Sequence, residues 1–432
     1  MNKVVYLFII FFFISGCSFN KNSKFWTATK KIQLERNFEE VLKDNQIINK
    51  QFNPNIKVKL DNVFSINLNE SSQLNNYGRI NFDSELNKIS RYKFSKIKNF
   101  HQYEPEILFY KNKVLFFDNK GTILQFDEDS KLIWKKNYYN KAEKKLNPIL
   151  QFANDNKYLV IADNIAKLYL LDLKSGNLIW TKKSSAPFNS QIKIYKDKFF
   201  VVDFSNTLRC FSVKDGKELW NIKTENALIR SQKKLSMIIH RDKIYFNNSI
   251  GDITAVDINK GDMLWQLPTQ GSDIYESAFS LETSDLISDG KNLFFSNNRN
   301  EFFSIDIRSG NFNWKNNINA NVRPVIVEKL LFTVSVDGYL VILEKNSGKI
   351  IRITDIFDKF KSKKRSKIKP TGFIIGLNNI YLSTSNGRLL IINIIDGKTK
   401  SVLKIDNEKI SRPLIIEKNL FVIKDNSVIK LN

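Results

Sequence analysis

Few side chains in this sequence of 432 residues have the types and spacing that support catalysis. The two histidines, His101 and His240, lie far apart along the chain, and neither has metal-ligand spacing to other residues. No Gly-rich phosphate loop, Gly-x-Ser-x-Gly elbow or paired-cysteine metal motif occurs. Asp and Glu are plentiful, but most of those in the repeats described below lie in turns, where they cap local backbone N–H groups. We therefore expect no catalytic residues, no metal and no cofactor.

One of the two cysteines lies in a segment that indicates covalent modification. Lys3 precedes an apolar run from Val4 to Ile14, which is too short to span a bilayer and is typical of a cleaved export signal. The run ends in Ile14-Ser-Gly-Cys17, which resembles a bacterial lipobox. In proteins with that box the cysteine is acylated and becomes the new N-terminus, and several acyl chains give stable anchoring. We expect residues 1–16 to be a lipoprotein signal peptide and Cys17 to carry the anchor. The alternative is an ordinary signal peptide with a chance cysteine.

The residues that follow Cys17 are expected to form a tether. By the same lipobox resemblance, Ser18 favours the outer over the inner membrane. The segment up to Pro54 is polar, rich in Lys and Asn, and lacks strand alternation. The sequence therefore predicts a lipidated N-terminus and flexible tether over residues 17–55. The other cysteine, Cys210, lies in a strand pattern and is expected to be a small core residue.

The formal net charge of +24 would ordinarily suggest nucleic acid or an anionic membrane surface as a partner. However, Lys, Asn, Ile and Phe are abundant throughout while Ala and Gly are scarce, which is what an AT-rich coding sequence imposes on any protein. We therefore expect no nucleic-acid partner. Only residues 361–369 are locally dense in basic side chains. They are predicted to form a solvated loop, with contact to lipid head groups or an acidic partner as the alternative.

An internal repeat in the sequence predicts where the strands and turns of the chain lie. Its clearest copy runs from Asp172 through Gly176 to Trp180, and a degenerate first copy ends at Ser130 and Trp134. The later copies have their turn and Trp residues at Gly216 and Trp220, Gly261 and Trp265, Gly310 and Trp314, and then at Gly348 and Gly397 without Trp. Successive turns are 46, 40, 45, 49, 38 and 49 residues apart, an average of 44.5. That period is typical of a propeller blade of four strands.

A second turn in each copy confirms the phase of the repeat. It lies fourteen residues before each Trp position, at Ala166, Asn206, Gly251, Asn300, Gly338 and Gly387. Asn and Gly tolerate the positive φ that a tight hairpin requires. The repeated Trp side chains are predicted to pack between neighbouring blades. Where Arg352 and Ser401 replace Trp, we expect the blades to dock less tightly.

The number of blades follows from how the ring closes. The turns give seven complete copies, and an eighth begins at residue 411 but ends before its outer strand. Because an open ring would leave an unpaired strand edge, the missing strand must come from elsewhere, and residues 88–97 alternate suitably. The sequence predicts an all-β fold over residues 56–432. It is an eight-bladed β-propeller of four-stranded antiparallel blades, with the last blade closed by an N-terminal strand.

The Asp-x-x-x-Gly-x-x-x-Trp copies resemble the pyrroloquinoline-quinone-like repeat family. That family includes quinoprotein alcohol dehydrogenases and an outer-membrane assembly lipoprotein. The quinoprotein enzymes carry an adjacent cysteine pair over the cofactor and an acidic base beside calcium, whereas this sequence has no adjacent cysteines. The chain resembles the assembly lipoproteins over essentially its whole length, because it combines a lipobox, a tether, eight copies of the repeat and a closing strand. The resemblance implies a non-enzymatic scaffold of the β-barrel assembly machinery, anchored to the outer membrane and facing the periplasm.

The same resemblance implies a partner-binding loop. In the assembly lipoproteins the corresponding inter-blade loop carries a Leu-x-Leu-Arg motif implicated in binding a periplasmic domain of the barrel-assembly protein BamA. Here Ala227 and Ile229 take the two Leu positions, Arg230 takes the Arg position, and Leu228 can compensate for Ala227. We expect Leu228, Ile229 and Arg230 to bind a BamA-like protein, with this chain a monomeric subunit of a hetero-complex. An ordinary blade connection is the alternative for the loop.

Two other functions remain open for the whole chain at this point. One is a periplasmic quinoprotein-type dehydrogenase. The other is a lipid-anchored propeller that binds peptides or glycans through loops at the mouth of the ring.

Overall fold

The computed structural model describes residues 50–60, 72–87, 89–98, 100–103, 105–225, 233–269 and 281–432. All of them fall within one unit, Asp44–Asn432. Their strands form eight antiparallel sheets of four strands each, and each sheet is one blade of a β-propeller. The predicted fold class is confirmed.

Blades I to VII follow one another along the chain, and in each the strands pair in sequence order. Blade I comprises β2 (Leu108–Tyr110), β3 (Lys113–Phe117), β4 (Ile123–Phe126) and β5 (Leu132–Lys136), and blade II comprises β6 (Leu150–Asn154), β7 (Tyr158–Asp163), β8 (Lys167–Asp172) and β9 (Leu178–Lys183). Blade III comprises β10 (Lys193–Tyr195), β11 (Lys198–Val202), β12 (Thr207–Ser212) and β13 (Glu218–Lys223). Blade IV comprises β14 (Met237–His240), β15 (Lys243–Asn247), β16 (Ile253–Asp257) and β17 (Met263–Leu267). Blade V comprises β18 (Ile287–Ser288), β19 (Asn292–Asn297), β20 (Glu301–Asp306) and β21 (Phe312–Asn316). Blade VI comprises β22 (Val325–Val327), β23 (Leu330–Val334), β24 (Tyr339–Glu344) and β25 (Ile350–Asp355). Blade VII comprises β26 (Pro370–Ile375), β27 (Asn379–Thr384), β28 (Arg388–Asn393) and β29 (Thr399–Lys404).

Blade VIII combines the last three strands of the chain with the first strand. It contains β30 (Leu414–Ile416), β31 (Asn419–Lys424) and β32 (Ser427–Leu431), with β1 (Ile89–Lys93) on the outside. The few helical turns among the described residues include α1 (Lys141–Lys144), α2 (Ser362–Arg365) and a 3₁₀ turn at Phe100–Gln102.

The burial of each strand follows from its place in the blade. The middle strands are apolar on both faces, because each blade packs between two neighbours; in β11 the last four residues, from Phe199 to Val202, are buried. The outer strand β13 alternates between exposed and partly buried residues, as expected for a strand with one solvated face. Cys210 is buried in β12, and burial raises the pKa of its thiol to about 12. It is a core residue, as predicted.

The repeated Trp and Gly residues form the contact between successive blades. A Cβ added to Gly348 would lie 2.6 Å from the Trp314 ring of the preceding blade, so only Gly lets the turn lie flat against the indole. The indole N–H of Trp314 donates to the carbonyl of Lys345 in the same turn, at 2.9 Å. Equivalent Gly and Trp pairs join the earlier blades, at Gly176 and Trp134, Gly216 and Trp180, Gly261 and Trp220, and Gly310 and Trp265. The inter-blade packing predicted for these Trp residues is therefore observed.

Arg352 occupies the Trp position between blades VI and VII, and it is fully buried. Its guanidinium lies 2.8 Å from where a Cβ on Gly397 would be, so it covers the turn as Trp does elsewhere. It donates to the carbonyl of Ile56 at 2.9 Å, to that of Ile394 at 3.2 Å, and to that of Ile395. The position expected to be loose is thus filled by a side chain that ties the N-terminal segment to the ring.

The predicted closing strand is confirmed. β1 pairs antiparallel with β32, with Ile89 opposite Leu431 and Lys93 opposite Ser427. Tyr92 in β1 is 1% exposed and contacts Phe126 of blade I and Phe421 of blade VIII, at ring-centroid distances of 5.7 and 6.4 Å. The N-terminal strand therefore completes blade VIII and also joins it to blade I.

The structure describes part of the segment expected to be a tether and all of the basic stretch 361–369. Phe52, within the stretch expected to be a tether, exchanges two backbone hydrogen bonds with Ile353 in β25, so the chain already contacts the ring there. The basic stretch 361–369 includes α2, where Arg365 forms an ion pair with Asp355.

Candidate functional site

The first strand of each blade faces a central channel, which forms a cavity of ≈ 1600 Å³. One end of this channel is crossed by residues 72–80. The Gln73 amide donates to the carbonyl of Ile194 in blade III at 2.7 Å, and the backbone N–H of Ile80 donates to that of Ile375 in blade VII at 2.9 Å. Blades III and VII are opposite each other in a ring of eight, so the segment crosses the axis.

Asn75 is the buried centre of this crossing, with only 3% of its surface exposed. Its amide nitrogen lies 3.1 Å from the Gln191 side-chain oxygen and 3.0 Å from the Leu286 carbonyl. Its amide oxygen accepts from the Lys193 ammonium at 2.8 Å, and the same ammonium donates to the carbonyl of Ser72. These partners belong to blades III and V and to the segment itself. The crossing is therefore held by hydrogen bonds to several blades.

A cluster of charged side chains lies where the first strands begin. Glu106 accepts from Arg323 at 2.9 Å and lies 3.4 Å from the Lys234 ammonium. Arg323 also donates to Asp285, with its Nε 2.5 Å from the carboxylate. Glu106 precedes blade I, whereas Lys234 and Arg323 precede blades IV and VI, each three blades away around the ring. The ion pairs of this axial cluster (Glu106, Lys234, Asp285 and Arg323) therefore span the channel.

The charges of the axial cluster shift the pKa values of its members. Burial alone would raise the pKa of Asp285, but the Arg323 and Lys234 charges outweigh burial and lower it. The same two charges lower the pKa of Glu106 against the effect of burial. For Lys193, burial and the nearby Arg323 charge lower the pKa to about 7. The Arg323 and Lys234 charges therefore keep the carboxylates of Glu106 and Asp285 in their charged form.

We expect these two carboxylates to make stability depend on acidity. Because the folded-state pKa values of Glu106 and Asp285 are depressed, their contribution is present above the unfolded pKa, about 4, and is lost as pH falls through the folded values. Urea denaturation at about pH 7 and about pH 3 should show a lower free energy of unfolding at the acid pH. Asp285→Asn should lower stability at neutral pH and reduce this loss, whereas Asp358→Asn at an exposed position should change neither. An unchanged pH dependence in Asp285→Asn would contradict the assignment.

The site residues predicted from the sequence lie outside the described residues. Cys17, the predicted lipidation site, precedes them, and Leu228, Ile229 and Arg230 fall in the gap at 226–232. That gap lies in the connection from β13 of blade III to β14 of blade IV. Lys234 of the axial cluster lies in the same connection, after the gap.

The sequence reasoning missed the axial cluster, although a signal was present. Glu106, Asp285, Arg323 and Arg412 each stand two residues before the first strand of a blade. Aligning the copies on their first strands, and not only on the Gly turns, would have placed these charges at one level around the channel. Their pairing could not be read in this way, because it depends on which side chains reach across the axis.

The residues of the channel do not fit the calcium ion implied by the quinoprotein resemblance. The carboxylates of Glu106 and Asp285 are already paired with cations, and basic side chains outnumber acidic ones in the lining. Among the described residues, no group of three or more His, Cys, Asp or Glu is arranged to hold a metal ion. Within the same ranges, no helix has the length and apolar character needed to cross a bilayer.

The fold and its channel define the protein as a propeller of Gly-to-Trp repeats with a charged, polar channel. A family model described as outer membrane protein assembly factor BamB matches residues 119–354, which is more than half of the chain. The chain therefore belongs to the BamB family.

Two relatives with that name are similar in sequence. BamB of Moranella endobia is 20% identical over 260 residues, covering 59% of this chain and 64% of the relative. BamB of Shewanella oneidensis is 24% identical over 240 residues, covering 50% and 56%. The chain thus spans less than two thirds of the length of either relative.

Solved structures show the same fold at lower identity. BamB from Moraxella catarrhalis superposes with a TM-score of 0.60 at 14% identity, covering 80% of this chain and 98% of that one. The quinohemoprotein alcohol dehydrogenase from Comamonas testosteroni gives 0.59 at 10% identity, covering 82% and 78%. At these identities the likeness establishes the propeller fold alone.

Proposed function

We propose that this protein is a lipid-anchored scaffold of the outer-membrane β-barrel assembly machinery. It is held at the outer membrane through Cys17, faces the periplasm, and binds a BamA-like protein to support insertion of β-barrel proteins. The observation that carries the proposal is the family match over residues 119–354. The closed ring supports a scaffold role, because its hydrogen-bonded strands and packed blades provide a rigid body on which loops can be presented.

The proposed contact is the connection between β13 and β14, which contains Leu228, Ile229 and Arg230. Both described ends of this connection are anchored. On one side, the Thr224 hydroxyl donates to the carbonyl of Asn206 at 3.1 Å. On the other side, the Asn189 side chain donates to the carbonyl of Lys233 at 3.1 Å. Fixed ends reduce the conformational entropy that the loop would lose when it binds.

The chemistry of the three side chains suits a small interface. Leu228 and Ile229 can provide an apolar anchor, and the planar guanidinium of Arg230 can donate paired hydrogen bonds to a carbonyl or carboxylate of the partner. Such a contact concentrates most of its binding energy in a few residues, so a change at two of them should abolish binding.

Co-purification from detergent-solubilised membranes tests the proposal. With tagged protein, we expect a BamA-like barrel subunit to dominate the bound fraction, and Ile229→Ser with Arg230→Glu to reduce its yield by about tenfold or more. The matched control, Ile179→Ser with Arg308→Glu, makes the same types of change at exposed positions in blades II and V and should retain binding. The melting curves of both variants should match that of the unmodified protein. Retained binding by the loop variant would exclude this loop, and absence of the barrel subunit from the unmodified sample would refute the proposed function.

A further inference from the structure

The central channel is lined by an arginine, Arg412, that has no direct ion pair with a carboxylate of the described chain. The guanidinium of Arg412 has no hydrogen bond or ion pair to any described residue, and it lines the cavity. The nearby carboxylates of Glu106 and Asp285 are paired with Arg323 instead. The Arg412 side chain is partly buried, and this burial together with the Arg323 charge lowers its pKa, although the charges of Glu106 and Asp285 oppose the shift.

The local structure fixes the position of Arg412. Gly372 in β26 leaves room for its side chain, because a Cβ there would lie 2.3 Å from the Arg412 Cγ. The preceding residue, Ser411, donates its backbone N–H to the carbonyl of Ile423, and its hydroxyl accepts from the Ile423 N–H, both at 2.9 Å. The Thr371 hydroxyl donates to the carbonyl of Ile410 at 2.8 Å. The guanidinium is therefore held by a backbone that is tied to its own blade and to blade VII.

Among the described residues of the lining, basic side chains outnumber acidic ones. The lining includes seven basic side chains and four carboxylates, namely Lys193, Lys233, Lys234, Arg323, Lys369, Lys409 and Arg412 against Glu106, Glu282, Asp285 and Glu408. Charges of one sign that converge in a concave space attract ligands of the opposite sign. A carboxylate ligand would give the partly buried Arg412 guanidinium the direct anionic partner that the described chain does not provide.

We propose that the channel is a binding site for an acidic segment of a partner polypeptide, with one of its carboxylates held by Arg412. The planar fork of a guanidinium matches a carboxylate with two parallel hydrogen bonds. The cavity of ≈ 1600 Å³ accommodates several peptide residues and is larger than a single ion needs. The residues that carry this site, Arg412 and the basic lining, are different from the residues of the proposed contact at Leu228 to Arg230.

Fluorescence anisotropy with labelled hexapeptides tests the site on the full-length protein in detergent. One peptide contains Glu and its isosteric control contains Gln. The Glu peptide should bind the unmodified protein and the Gln peptide should not, and this comparison needs no variant. Arg412→Gln should weaken binding of the Glu peptide by about tenfold or more, the effect of losing a charged hydrogen bond. Arg308→Gln, at an exposed turn of blade V, is the matched control and should leave the affinity unchanged.

Three outcomes would overturn the site. They are no binding of the Glu peptide, equal binding of the two peptides, and unchanged binding by a folded Arg412→Gln protein. Inorganic phosphate serves as a competitor. Displacement of the peptide by phosphate at concentrations no higher than the peptide Kd would assign the site to small anions and refute the peptide assignment, whereas displacement only at much higher concentrations would support it.

Discussion

A chain that lacks residues 411–432 is expected to lose its cooperative unfolding transition altogether. The deletion removes β30, β31 and β32, and leaves β1 without the strand that it pairs with. It also removes the contact of Tyr92 with Phe421, which lies at the junction of blades I and VIII. The ring would then open, and blades I and VII would each expose an apolar face to water.

The size of the effect follows from the apolar side chains that are lost. Eight of the deleted apolar side chains are at most 4% exposed, namely Ile415, Leu420, Phe421, Val422, Ile423, Val428, Ile429 and Leu431. Each contributes roughly 1.5–3 kcal/mol when buried. Together they approach or exceed the net stability of a typical domain, about 5–15 kcal/mol.

Circular dichroism and fluorescence during urea denaturation would measure this outcome. Removal of Asn432 alone is the matched control, because this residue is exposed and lies beyond the end of β32. The control should unfold at the midpoint of the intact chain. A cooperative transition at that same midpoint in the longer truncation would show that closure does not hold the ring together.

Trp314→Ala is expected to cost about 3–5 kcal/mol of unfolding free energy, the usual effect of replacing a buried Trp by Ala. The Trp314 side chain is 6% exposed, and its ring lies 5.7 Å from that of Phe302 and 6.1 Å from that of Phe294. The change also removes the donor to the Lys345 carbonyl and the surface that covers Gly348. A cavity would remain between blades V and VI.

Two controls separate packing from hydrogen bonding in this experiment. Trp314→Phe keeps an aromatic ring against Gly348 but loses the N–H donor, so it should cost only about 1–2 kcal/mol. Trp134→Ala makes the same change at the equivalent, more exposed position between blades I and II, and it should cost less than Trp314→Ala. The free energies come from urea denaturation of each variant. Equal losses in Trp314→Ala and Trp134→Ala would show that inter-blade burial does not set the cost.

Much of the fold could be predicted because its determinants are local in the sequence. The turn positions Asn206 and Gly338 have the positive φ values that their residue types indicated, 58° and 84°. The strands between them are short apolar runs, which repeat at the length of one blade. Ring closure also followed from counting strands, because an unpaired edge had to be filled by β1.

The candidate sites were predictable to different degrees. The partner loop at Leu228 to Arg230 and the anchor at Cys17 were inferred from motifs, and both remain predictions. The axial cluster was not inferred from the sequence, because a charged residue before a strand is a common feature. It indicates a cluster only once the strands are arranged in a ring. Arg352 was expected to weaken a blade contact, yet it is fully buried and bonded to three carbonyls.

Turn chemistry and apolar periodicity act over the length of one blade, and they were sufficient to predict the eight blades, their order and the strand that closes them. Which polar side chains meet depends on the assembled ring. Glu106 pairs with Arg323, which lies 217 residues away in the sequence, and Arg352 donates to the carbonyl of Ile56, which lies 296 residues away. Both pairs form because the ring returns distant segments to a common axis or edge, where a buried charge must find a partner. Arg412 lies at the same axis without a direct partner in the described chain, and only the folded ring brings it into the channel.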